Sequence, residues 1–550
     1  MRKKWLCLLL ALCTTAVCLC GCRQKQMNDG TGGGFRFPID AEPTMLDPQM
    51  AQDTASVTVL CALFEGLTRL DNQGKAVPAA ATWTVSKDKL TYTFTLKESY
   101  WNTNPTEGKK QPWDKPIRVT ADDFVFGIQR IADPATGSPL AAELYGIRNA
   151  EAVINGEKPL KELGVKALDN NRLTITLSAP DSDFPARLAT SPFFPCHRAF
   201  FDYTAGRYGL EARYVLSNGG FRLAAWNRGE SLLLYKHANY HDDAAIAPEA
   251  VRFVIGAKDP VEALKKGDLS AAPLTAAQAA SVGKDIRTTK LDDTVRSLWF
   301  NTVKSPLYPT EIRQALRDSI QWDSVNKFLK KSGEAVATGY IPPAATVSGS
   351  DIYRTGKNTL TPTTRVDAAK QNLQLGIDRL SRGGATISSP SQIQIDVLAA
   401  DDAVSTDIAR YIVQSWQKNL GITVTLTQVS EQELAKRVKN GNYQAALYTH
   451  TPTGLTGGEN LSLFSSTAPD NLSRLADSGI DDAVLAARQG GRKELEALEQ
   501  AVWQACPAVP ISFPCRYYGF AKGTEDIVAR PFGGGRYQAP LDFRSAKDFG

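Results

Sequence analysis

A chain of 550 residues, 43% hydrophobic and 22% charged, is too long for one compact core and too apolar for disorder. Its formal charge is +5, and setting aside Arg2, Lys3 and Lys4 leaves 60 of the 63 basic residues against 58 acidic ones, or +2. That balance gives no electrostatic footprint for nucleic acid, and beyond the N-terminus no stretch is long and apolar enough to span a membrane.

In chain order, Arg2-Lys3-Lys4 precede WLCLLLALCTTAVCL, Trp5 to Leu19, which carries no charge. A basic start, a short apolar core and small residues after it describe a secretory signal, expected over residues 1–21. Leu19-Cys20-Gly21-Cys22 resembles the lipobox of bacterial lipoproteins, in which an aliphatic and two small residues precede a cysteine whose thiol takes a diacylglycerol. Cys22 is therefore the expected lipidation site. Two acyl chains anchor stably where one does not. Residues 22–34, polar and glycine-rich, read as a flexible tether. A zinc pair at Cys20 and Cys22 fails on spacing. Cys61, Cys196, Cys506 and Cys515 remain in the body; Cys506–Cys515 or Cys61–Cys196 bridges are conceivable after export, but four spread cysteines in a large chain read first as unpaired core residues.

Phe35 to Pro48 reads as a strand and turn, and Val57 to Asp71 as a helix running into a short strand. In KLTYTFTLK, Leu90, Tyr92, Phe94 and Leu96 alternate with threonines, a period of two that predicts a strand. Trp83 and Phe94 are assigned to the core. Thr120 followed by Asp122 and Asp123 predicts a helix start. Asn171–Leu177 and Ser231–Lys236 read as further strands. From about residue 290 the pattern changes. IQIDVLAA (393–400) is a strand; Val404, Ile408, Tyr411, Ile412 and Leu420 keep helical spacing, with Gly421 as the C′ residue; ITVTLTQV follows; Ser430-x-x-Glu433 is a capping box; QAALYTH, from Gln444, is a strand again. This alternation predicts a β-α-β layer with parallel strands. AVPISFPCRYYGFAK returns to strand-like sequence near the end.

Catalytic signatures are missing. The four histidines are His197, His237, His241 and His450; no HExxH, GxSxG or GxxxxGK[ST] occurs. No enzyme activity, metal or cofactor is expected.

Several segments, in order, resemble the large peptide- and nickel-type solute-binding proteins of ABC transporters, most closely the oligopeptide branch: AEPTMLDPQ; LFEGLTRLDNQGKAVPAAATWTVSKDKLTYTFTLK with Pro78, Ala81 and Trp83; VTADDFVFGIQRIADPATGSP; INGEKPLKELGVKALDNNRLTITLSAP; SNGGFRLAAWNRGESLLLYKHANYHD; LWFNTVKSPLYPTEIRQAL; and GYIPP. The resemblance implies an α/β, two-lobed periplasmic-binding-protein-like fold of the large class, hinge-closing around a ligand. Lobe I would comprise 35–75, 201–290 and 505–550, its extra subdomain 76–200, and lobe II 291–504. The implied function is capture of oligopeptides outside the membrane for an ABC permease and ATPase, by a monomer. A peptide-pheromone or signalling receptor, or a surface peptide hydrolase or chaperone, is the alternative.

The resemblance also implies ligand-binding candidates: Asp53, Thr54, Ala55 and Ser56 before the LFEGL helix; Trp299 and Asn301 near the lobe crossing; Trp416; Tyr448 and His450; and Tyr517 and Tyr518 on the final return. One departure stands out. Oligopeptide binders typically carry, after the strand resembling QAALYTH, an aspartate that pairs with the ligand's α-amino group. Residues 448–455 contain no acid, and the next is Glu459. Either the ligand lacks a free amino terminus or enters in another register, or Glu459 or Asp53 supplies the charge.

Overall fold

The computed structural model describes residues 34–102, 115–348, 351–452, 454–534 and 537–545. Cys22, the expected signal and all of the tether but Gly34 lie outside them. No helix among the described residues is long and apolar enough to cross a membrane.

The alternating strand forms as expected: Thr91–Leu96 buries Tyr92, Phe94 and Leu96 and pairs antiparallel with Ala81–Val85 and Arg172–Thr176. Phe94 is fully buried, but Trp83 is only half-buried, its ring 6.4 Å from that of Phe94. Ala81–Val85 is an edge strand, with a strand neighbour on one side alone, and Trp83 packs against the core from that edge. A second sheet places Phe35–Ile39 parallel to Ala250–Ile255, followed by Ser231–Lys236 and Phe221–Asn227. These sheets share one contiguous core, which runs from Phe35 through Phe94 and Phe253 to Phe543.

The second lobe is built on a six-stranded sheet in the order Ala335–Val336, Ala508–Phe513, Val295–Phe300, Ala445–His450, Gln394–Ala400, Thr423–Val429. Gln394–Ala400 runs parallel to both of its neighbours, as the β-α-β pattern predicts. The helix Ala403–Leu420 starts on Asp402, which accepts from the N–H of Val404 and Ser405 at 3.0 Å, and ends on Gly421 at φ +68°. The next helix, Glu431–Asn440, is capped by Ser430 Oγ on the Glu433 N–H (3.3 Å). Glu433 does not complete the box; its carboxylate takes Arg437 at 2.8 Å instead.

The chain passes between the lobes at residues 292–294 and 514–515. These crossings lie side by side and are tied together. Arg516 grips Asp293, its Nε 3.0 Å from Oδ1, and Asp293 also accepts the Phe532 N–H at 2.7 Å. Thr294 donates to the Pro514 carbonyl, and the Cys515 thiol lies 3.0 Å from Asp292. All four body cysteines are free, with Cys196 and Cys506 buried in separate cores.

Candidate functional site

Between the lobes lies a cavity of about 580 Å³, a size suited to a small ligand. One wall is the start of the helix Thr54–Leu63, through Gln52 and Thr54, with Pro139 beside it. The other wall is second-lobe: Lys436 and Lys439 from the helix Glu431–Asn440, Tyr448, Thr449 and His450 from the end of a strand, and Asp470 and Arg474 from a loop. Tyr537 closes one side. The strand Ala445–His450 is paired along its whole length with Val295–Phe300, but its parallel ladder with Gln394–Ala400 covers only Ala445–Leu447. The ladder ends where the cavity begins. Burial raises the Tyr448 phenol above its ordinary range, with Glu431 adding to the effect.

Of the sequence candidates, Thr54, Tyr448 and His450 meet here. Asp53 is committed elsewhere: it caps the helix, accepting from Ser56 N–H (2.8 Å), Ser56 Oγ (2.7 Å) and Thr44 Oγ1 (2.5 Å). Ala55 and Ser56 are buried behind it. Trp299 is fully buried, stacked on Phe464 at 5.7 Å and edge-on to His450 at 6.3 Å, so it backs the wall. Asn301 is buried too, donating to the Gly441 carbonyl at 2.9 Å, and so fixes the helix end that borders the cavity.

Trp416 is not in the cleft. It follows Ile408 and Ile412 at intervals of four, on the helix face that packs against the sheet. Its Nε1 donates to the Leu316 carbonyl at 2.8 Å and its ring lies 6.4 Å from Phe300. Tyr517 and Tyr518 are also displaced from it. They sit on Arg516–Phe520, the central strand of a three-stranded sheet, so their two faces are covered by two different cores.

A second cavity, of about 360 Å³, adjoins the first and shares Pro469, Asp470 and Tyr537 with it. Its walls bring Asp181, Asp183 and Arg187 of the first lobe against Glu459 and Arg488 of the second. Thr456 joins the lobes here. Its hydroxyl lies 2.9 Å from Asp183 Oδ2 and 3.3 Å from Glu459 Oε2, while its N–H donates to Glu459 at 3.1 Å. Burial, then the charge of Asp183, pushes Glu459 up to about 8. Burial, then the charge of Asp181, pushes Asp183 up to about 6. Arg488 has its guanidinium pushed down by burial and by Arg187. Glu459 therefore faces this seam and a helix N-terminus, not the larger cavity.

Sequence reasoning missed Lys436, Lys439, Arg474, Pro139, Asp470 and Tyr537. The two lysines, three residues apart on a capped helix, offered the one local signal of a shared face; the others come together only through tertiary folding.

Known proteins share this build. A dipeptide-binding protein of Lactococcus lactis subsp. cremoris is 26% identical over 502 residues, which cover 87% of this chain and 86% of its own. The substrate-binding domain of an oligopeptide ABC transporter from Bacillus anthracis superposes with a TM-score of 0.73 at 24% identity, covering 93% of this chain and 98% of that one. The periplasmic murein peptide-binding protein MppA of Escherichia coli is 26% identical over 494 residues, 86% of each chain. One structure of it fits with a TM-score of 0.71 at 24% identity, covering 94% of this chain and 98% of that one. Residues 75–471 match the family described as bacterial extracellular solute-binding proteins, family 5 Middle. That span takes in the first crossing and most of the second lobe's cavity wall, and on it the chain belongs to the bacterial extracellular solute-binding proteins, family 5.

Proposed function

We propose that this chain captures oligopeptides between its lobes, outside the cytoplasmic membrane, and hands them to an ABC permease. Lobe I is taken as 35–75 with 201–290 and the chain from Arg516 on, residues 76–200 as its subdomain, and 295–513 as lobe II; the strand Ala508–Phe513, expected in lobe I, pairs with Val295–Phe300 in the second lobe's sheet, which moves that boundary from 505 to the crossing at 514–515. The observation that carries the reading is the parallel ladder on Ala445–His450, which stops at Leu447 just where Tyr448 and Thr449 line the cavity. An extended peptide offers the same backbone N–H and C=O groups whatever its side chains, and strand addition at such an edge binds them. Water filling the remaining space lets side chains vary at little cost. Closure then follows from tighter binding to the closed state. The named relatives bind peptides, which supports the same cargo here.

Cys22 is the proposed anchor, which would keep the body at the membrane's outer face. Its replacement by serine should release the protein from membranes or leave it unprocessed; a membrane-bound, fully processed C22S protein rejects the anchor. Capture itself is tested by native mass spectrometry of protein purified from cells, followed by calorimetry with defined peptides on protein stripped of ligand. Retained peptides, released intact, are expected. Cleaved products would favour a hydrolase, and no peptide by mass or by heat would end the proposal.

A further inference from the structure

The larger cavity carries an uneven charge. Lys436 and Lys439 lie on one face of the helix Glu431–Asn440 and line it together. Both are exposed; the charge of Lys436 is felt by Glu433, whose carboxylate is paired with Arg437, and Lys439 has no carboxylate beside it among the described residues. Arg474 lines it from the adjoining loop. A helix C-terminus, not an acid, holds this guanidinium: Nη2 donates to the Lys439 carbonyl at 2.6 Å. Gly441, the C′ residue at φ +72°, allows that approach, since a Cβ there would stand 3.2 Å from Arg474 Nε. Asp470 is the one carboxylate among the described residues lining this cavity. Of the nearby acids, Glu433 pairs with Arg437, Asp53 commits its oxygens to its helix cap, and Glu431 lies outside the lining at the N-terminal end of the helix, near enough to act on the Tyr448 phenol.

From this arrangement we infer that the cleft selects anionic peptides, with Lys436, Lys439 and Arg474 as the residues that set the preference. The inference rests on the peptide reading above and names the charge class of its cargo. An ammonium placed beside Tyr448 and Thr449 would meet three lining cations against one lining acid, with Glu431 as a second acid behind Tyr448, so the balance still draws a carboxylate there. The same physics explains why residues 448–455 carry no acid. A group of opposite sign to an ammonium is what this end of the strand is built to face.

The test uses calorimetry on the full body, stripped of retained ligand, with three tetrapeptides of matched size carrying two glutamates, two glutamines or two lysines. The same series is run on a Lys436→Gln/Lys439→Gln variant, whose substitutions are exposed and leave the helix caps intact. Exposed ion pairs shift affinity by a few-fold each. The glutamate peptide is therefore expected to bind about tenfold tighter than the lysine peptide at low salt. That ratio should shrink with added salt and fall to about twofold in the variant, mainly through weaker binding of the glutamate peptide. Equal affinities for the three peptides, or a glutamate preference that survives in the variant, overturn the inference and leave peptide capture standing. Binding of none of the three overturns the peptide reading and this inference with it.

Discussion

The lobes meet at two seams of opposite character. At the crossings, fully buried Asp293 is matched by Arg516 and by the Phe532 N–H, so charge and hydrogen-bonding capacity are both met. At the far seam, Asp183 and Glu459 are both acids, bridged by one threonine hydroxyl. On the closure proposed above, the first contact survives every opening and closing, whereas the second forms and breaks. A pair of opposite charges suits a permanent joint, and a pair of like groups, stable only while a proton is held between them, suits a contact that parts.

The largest break in this comparison is expected at the permanent joint. Arg516→Ala leaves a buried carboxylate without its cation and should cost about 3–5 kcal/mol in denaturant unfolding. An unchanged midpoint would show that the crossings do not depend on the pair. At the parting seam the lever is pH. With the lobes apart, the two acids would titrate near ordinary values of about 4; in the closed arrangement Asp183 is raised to about 6 and Glu459 to about 8. The closed state thus binds protons more tightly. Its stability is fully present below about pH 4 and is lost as pH rises toward 8, by up to about tenfold in the closed-to-open ratio per pH unit for each proton. Asp181 strengthens this effect, and Arg187 and Arg488 oppose it. Small-angle scattering of ligand-free protein at pH 5 and pH 9 measures it; a more compact particle at pH 9 would reverse the sign.

Glu459→Gln sharpens the comparison further. It removes the more strongly raised acid, so most of the pH dependence of the scattering should vanish while thermal unfolding of the crossings is unaltered. The smallest effect belongs to Thr456→Val, which deletes one bridging hydroxyl and should cost closure about 1 kcal/mol, read as a modest loss of ligand affinity at constant pH.

Much of the second lobe was legible in its sequence because its signals are local. Gly421 as a C′ residue, Ser430 as a cap and the strand–helix alternation that yields parallel Gln394–Ala400 are all set within a few residues. The site was less legible. Helical spacing places Trp416 with Ile412 and Ile408, and their face turns to the sheet. The likeness to related chains pointed to the cleft and was the weaker guide. Asp53 and Glu459 were both recognised as acids near the cleft, but each lies at a helix N-terminus, and a carboxylate spent on capping cannot be told from an available one by position alone. The cavity cations assemble from a helix and a loop some 35 residues apart, which no periodicity connects.

One contact in the first lobe bears on how the molecule comes into being. The ring of Phe543 packs on Phe37 at 5.4 Å, on Phe253 at 5.1 Å and on Phe35 at 6.0 Å, so the opening strand and the closing segment share one core. A chain delivered from its N-terminal side therefore cannot complete that core until Phe543 has emerged. The second lobe, contained within the interior of the sequence, can settle first, and the first lobe must wait with its aromatic face uncovered. Until then the uncovered aromatic face is the part of the incomplete chain most prone to associate wrongly.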